Sequence, residues 1–137
     1  MIVVCALLAL SACASAPPEE ELGGWKYPRQ NISEAEWKAL KAETVQLQGA
    51  KVEESEISTK VTIEGASKQL HDRVVYMFTT PQHSGHPAAA KVTFPLNAKG
   101  QATPDFAFHY AGSKEGFRAF VNGVIIGGSL MAVEPPK

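Results

Sequence analysis

The feature that most constrains the fold is a change of hydrophobic period at Thr44. Beyond it, apolar residues recur every second position, the spacing of strands with alternating faces. Ile57, Thr59, Val61 and Ile63 point one way, and Ser58, Lys60, Thr62 and Glu64 the other, as in a strand with one wet face. Val45, Leu47 and Val52 form the preceding strand, with Gly49 as a bulge and Glu54–Glu56 as the hairpin turn. Arg73–Thr80 places Val74, Tyr76 and Phe78 on one face and Val75 and Met77 on the other, so it belongs in the middle of a sheet. Lys91–Leu96 follows the loop Pro81–Ala89, and Pro95, lacking an N–H, puts this strand at an edge or ends it. Phe106, Phe108 and Tyr110 line a further strand opposite Ala107 and His109. Asn122-Gly123 predicts a type I′ hairpin joining Phe117–Val121 to Val124–Met131.

Ahead of the change of period, Ile32–Glu43 has the signals of a helix. Ser33 and Glu36 form a capping box, and Ile32 and Trp37 stand at hydrophobic-staple positions. Glu34 and Lys38 add an i,i+4 pair, and Trp37 and Leu40 give one apolar stripe. The expected fold is mainly β or α+β: one N-terminal helix on an antiparallel sheet of six or seven strands, curled into a sandwich or partial barrel. Its expected core is Trp37, Leu40, Val61, Ile63, Tyr76, Phe78, Phe106, Phe108, Phe120 and Ile125.

The N-terminus is of another kind. Ile2–Leu10 is continuously apolar and far shorter than the roughly 20 residues of a membrane-spanning helix. It closes on Leu10-Ser11-Ala12-Cys13, an aliphatic residue and two small residues before a cysteine. This stretch resembles the lipobox of bacterial lipoprotein precursors. The resemblance implies cleavage before Cys13, with diacylglycerol on its sulfur and an acyl chain on its new α-amine; two signals are what stable anchoring needs. Ala14 is not the aspartate that retains lipoproteins in the inner membrane, so the resemblance favours the periplasmic face of the outer membrane. The expected organisation is a signal peptide over 1–12, a lipid-anchored tether over 13–31, a single domain over 32–134 and a tail over 135–137. The tether reading rests on Pro17-Pro18, Glu19–Glu21 and Gly23-Gly24; Trp25 and Tyr27 are expected to dock back on the domain.

The net charge is −1 and no basic cluster stands out, which gives no bulk electrostatic attraction to nucleic acid. The two cysteines are Cys5, within the signal, and Cys13, consumed by lipid, so no disulfide is expected in the mature domain.

The one candidate for chemistry is His83-Ser84-Gly85-His86-Pro87. Two histidines three apart on a loop can converge on a metal ion, with His71 and His109 as further ligands and Asp72 or Asp105 as carboxylates. The competing reading is a turn shaped by Pro81, Gly85 and Pro87, with His83 solvated and both rings titrating near about 6.5. Ser84 beside His83 makes no nucleophile–base pair, and neither G-x-S-x-G nor a phosphate-binding glycine loop occurs. Glu53, Glu54 and Glu56 read as a solvated turn. The chain is therefore expected to be a non-catalytic accessory or assembly subunit of the envelope, without a resident cofactor, acting by protein contact. Addition of a strand at an open sheet edge is the natural mode. The alternative is a metal-binding lipoprotein using His83 and His86.

Overall fold

A computed structural model describes residues 25–133. The signal peptide, Cys13, the tether as far as residue 24 and the tail 135–137 lie outside the described residues. Among the described residues the fold is α+β, with one open antiparallel sheet and two α-helices. Helix α1 spans Glu34–Val45. Strands β1 (Lys51–Glu54), β2 (Ser58–Ile63), β3 (Val74–Thr79), β4 (Ala88–Thr93) and β5 (Asp105–Tyr110) follow, and helix α2 (Lys114–Val133) ends the described chain. The strands lie side by side in chain order, each antiparallel to the last.

The register sorts the sheet into two unlike faces. Val61 pairs with Tyr76, Phe78 with Ala89, and Ala89 with His109, so these side chains share one face. Ile32, Trp37 and Leu40 of the α1 segment pack on that face over Phe78 and Ala89. Val75 pairs with Val92, and Ala90 with Phe108, on the opposite face. There Phe117, Phe120, Val121 and Val124 of α2 complete the larger core.

Helix α1 is specified locally. Ser33 Oγ accepts from Glu36 N–H at 3.0 Å, and Ser33 N–H donates back to Glu36 Oε1 at 3.1 Å, so the capping box is complete. Ile32 and Trp37 are both buried at its entry, as a hydrophobic staple requires. The helix runs to Val45, two residues past the expected end, and Val45 and Leu47 form no strand. Gly49, at φ +80°, lies in the turn after it rather than in a bulge. The β1–β2 hairpin turns through Ser55, Glu56 and Ile57, one residue later than expected, with Ser55 N–H donating to the Ser58 carbonyl at 2.8 Å.

The largest correction is at the C-terminus. Phe117–Val121 and Val124–Met131 are not a hairpin but parts of α2, so the described sheet has five strands rather than six or seven, and it is neither a sandwich nor a barrel. The buried residues Phe117, Phe120, Val121 and Val124 recur at i, i+3, i+4 and i+7, a helical stripe that outweighs the Asn122-Gly123 turn signal. Ser113 starts the helix: its Oγ accepts from Gly116 N–H at 3.0 Å.

Strand β4 is the second correction. It begins at Ala88 and lies between β3 and β5, so it is not an edge strand, although it does end before Pro95. Ala88, Ala89 and Ala90 have poor strand propensity, yet all three are fully buried, where small side chains admit close cover on both faces. Of the expected core, Trp37, Leu40, Val61, Phe78, Phe108 and Phe120 are buried, and Ile63, Tyr76, Phe106 and Ile125 are half-buried.

Candidate functional site

The histidine loop is built into the scaffold. A Cβ on Gly85 would sit 2.4 Å from the Gly116 carbonyl oxygen, and one on Gly116 would sit 2.5 Å from that of Ser84. Backbone therefore meets backbone where the loop seats on the first turn of α2. His83 packs edge-on to Phe120 of α2 at 5.6 Å, and its Nδ1 accepts from Gly85 N–H at 2.8 Å. His86 packs edge-on to Trp37 of α1 at 5.0 Å, and its Nδ1 lies 2.9 Å from Thr79 Oγ1. The two rings are lodged against different helices, and each commits Nδ1 to its own local bond. His83 is half-buried rather than solvated. His86 does not keep its ordinary titration: burial lowers its pKa, against a smaller opposing effect of its bond to Thr79.

The further ligands expected from the sequence are dispersed. His71 and Asp72 lie on the 3₁₀ turn Leu70–Asp72 before β3, whereas the histidine loop follows β3, so the sheet's length separates them. Asp72 is held by Ser67, whose side chain and backbone lower its pKa. Asp105 opens β5 and is exposed. Among the described residues no three His, Cys, Asp or Glu side chains come together as a metal site. Glu53, Glu54 and Glu56 are exposed, and Ser84 is exposed too.

His109 has a different role from the one its residue type suggested. It is 0% exposed, on β5 beneath Trp25 and Tyr27, with ring centroids at 4.9 and 5.4 Å. Its Nε2 accepts from the backbone N–H groups of Lys26 (3.4 Å) and Tyr27 (3.5 Å). Nδ1 faces the Gln30 carbonyl at 3.3 Å. Two donors at Nε2 and an acceptor at Nδ1 assign the proton to Nδ1. Burial lowers the His109 pKa, and the bonds to Gln30 and Arg29 backbone oppose this less strongly. The neutral ring thus fastens residues 25–30 across the sheet as a strap, so these residues, expected as tether, pack on the domain.

Under the edge of that strap lies a shallow pocket of ≈ 290 Å³, lined by Trp25, Lys91, Thr93, Asp105, Phe106 and Ala107. Lys91 sits on the α1 side of β4, between Tyr76 and Ala107 in register. Thr93 and Asp105 pair directly across β4 and β5. Asp105 Oδ1 accepts from Phe106 N–H at 3.1 Å. The pocket was legible only in fragments: Asp105 stood among the candidate ligands, but no motif marks a lysine and a threonine two apart on a strand.

The remaining candidate is the outer surface of α2. Ile126 and Leu130 are 63% and 61% exposed, the most exposed large apolar side chains among the described residues. With Gly123 and Gly127 they repeat at i, i+3, i+4 and i+7, on one stripe. A Cβ at Gly123 or Gly127 would meet nothing within 4 Å. Gly128, by contrast, faces inward, where a Cβ would lie 2.7 Å from the Phe106 ring. Among the described residues no helix is long and apolar enough to cross a membrane. No protein-family model matches the chain, and no curated protein or solved structure is significantly similar to it.

Proposed function

We propose that this chain is a lipid-anchored subunit of the bacterial envelope, held at the periplasmic face of the outer membrane by acyl chains on Cys13. It has no catalysis of its own and acts by contact with another envelope protein. Leu10-Ser11-Ala12-Cys13 supports the anchor. The observation that carries the contact reading is the outward stripe of α2. A glycine inside a helix costs about 1 kcal/mol relative to alanine. Gly128 has a reason within the chain, but the open space over Gly123 and Gly127 gives them none. Small residues beside Ile126 and Leu130 form a groove and a ridge against which an apolar, uncharged helix can approach closely. No charged residue interrupts α2 from Ala119 to Val133, which suits a partner helix of the same character.

The β1 edge of the sheet is the poorer surface. Strand β1 is only four residues long and bears Lys51, Glu53 and Glu54, and short, charged edges discourage strand addition. A metal-dependent role is also less supported, since His83 and His86 are bound separately to two helices.

The test joins anchor to contact. Cys13→Ser is expected to leave the chain unacylated and outside the membrane fraction. A photoreactive residue at position 126 is expected to capture one discrete protein through a helix of that protein, and Ile126→Lys to abolish its copurification without changing the melting temperature. An acylated, membrane-bound Cys13→Ser protein contradicts the anchor. Capture of lipid alone, or of a second copy alone, contradicts the contact.

A further inference from the structure

Of the lysines on the described strands, Lys51, Lys60 and Lys91, only Lys91 forms no ion pair. Lys26 pairs with Glu43, Arg29 with Glu36, Lys38 with Glu34, Lys51 and Lys60 with Glu53, and Arg73 with Glu64. Lys91 is half-buried on an interior strand and has no acidic partner among the described residues. Asp105 lines the same pocket but forms no ion pair with Lys91, so the partly desolvated ammonium is under-compensated and an anion arriving there gains more than it would at a surface lysine.

Three other polar groups beside the pocket lack partners among the described residues. They are the Thr93 hydroxyl, the second carboxylate oxygen of Asp105 and the indole N–H of Trp25; Asp105 Oδ1 is held by its own backbone neighbour. The strap fixes the Trp25 ring, 6.1 Å from Tyr76 and 4.9 Å from His109. One wall of the pocket is therefore a positioned aromatic ring, and the floor carries a cation, a carboxylate and a hydroxyl.

Each group narrows the ligand. A polyphosphate is repelled by Asp105, and a cation by Lys91. A neutral sugar leaves Lys91 uncompensated. A small zwitterion satisfies Lys91 and Asp105 but leaves the indole and Thr93 unmatched. A sugar with one carboxylate matches all four: carboxylate on Lys91, hydroxyls donating to Asp105 and bonding Thr93 and the indole N–H, and the C–H face of the ring against Trp25. We propose that the pocket formed by Trp25, Lys91, Thr93 and Asp105 binds an acidic monosaccharide unit of the uronic acid class. The site lies on the α1 side of the sheet, opposite α2, and does not depend on the contact surface proposed above.

The experiment is a titration of the purified chain with sodium glucuronate, followed by tryptophan fluorescence and amide chemical shifts. Glucose, the methyl ester of glucuronic acid and glycine are the comparison ligands. Glucuronate is expected to shift the amides of Lys91, Thr93 and Asp105. Lys91→Met is expected to weaken binding at least tenfold, and Asp105→Asn at least threefold, while Lys51→Met has no effect. Unchanged thermal unfolding of Lys91→Met and Asp105→Asn keeps the comparison valid, and Trp25→Phe, which retains an aromatic wall, provides an independent partial loss. Glucose or the ester binding as well as glucuronate overturns the proposal. So does glycine binding in place of glucuronate, shifts scattered outside the pocket, or no binding by the parent chain.

Discussion

The two faces of the sheet are held by different physics. On the α2 side, Val75, Ala90, Val92, Phe94, Phe108, Phe117, Phe120, Val121 and Val124 form a continuous apolar core. On the α1 side a smaller cluster of Ile32, Trp37, Leu40, Phe78 and Ala89 is supplemented by polar ties. Trp37 Nε1 donates to the Ala88 carbonyl at 2.9 Å, His86 bonds Thr79, and His109 fastens the strap. Apolar burial is non-directional and independent of pH, whereas a hydrogen bond to an imidazole depends on its protonation. The α2 side should therefore set global stability, and the α1 side should open locally and respond to acid. The proposed sugar pocket lies on the responsive side, and the proposed protein contact on the firm one.

The comparison is broken most forcefully in the larger core. Phe108 is fully buried, with its ring beside those of Phe117 (5.9 Å) and Phe120 (6.3 Å). Phe108→Ala is expected to cost about 3–5 kcal/mol, a large share of the roughly 5–15 kcal/mol that holds a domain together. Chemical denaturation checks this, with Lys60→Ala as a control near zero. A loss under 1 kcal/mol for Phe108→Ala means that α2 does not cover β5 as described.

A smaller effect sharpens the other side. Ser33→Ala removes the Oγ that caps α1 and is expected to cost about 1 kcal/mol. The loss should appear as faster amide exchange at the start of α1, with α2 unchanged.

How much of this was legible in the sequence varied from element to element. Helix α1 was readable because its signals are local: Ser33, Glu36, Ile32 and Trp37 cap and staple it without help from elsewhere. Strands β2 and β5 were readable from the alternation of their side chains, and β3 from apolar residues on both of its faces. The start of β4 was not, since Ala88–Ala90 owe their place to the helices covering them rather than to propensity. Helix α2 was misread because Asn122-Gly123 is a strong local turn signal, and only burial of Phe117, Phe120, Val121 and Val124 against the sheet decides against it. The histidine loop was assigned to the correct segment, but residue type does not disclose that His83 and His86 rest on different helices. Nor does it disclose that His109 binds backbone amides. Those facts depend on where Gly116, Trp37 and the strap lie, many residues away.

The pH response of the two faces tests the central claim most directly. An unfolded histidine takes up a proton near pH 6.5, and burial holds His109 and His86 below that value in the fold. Their contribution to stability is therefore complete above about pH 6.5 and is lost as pH falls through the lower folded values. Protonation of His109 also places an N–H against the amides of Lys26 and Tyr27 and breaks both bonds. The decisive measurement is amide exchange, read as protection factors from neutral pH down through the acid range over which the fold persists, in the parent and in His109→Gln. The account predicts that acid strips protection from the strap amides in the parent while the amides of α2 keep theirs, and that the strap of His109→Gln is weakly protected at both pH values. Loss of protection in α2 together with the strap, or a strap indifferent to acid in the parent, would contradict the division between the two faces.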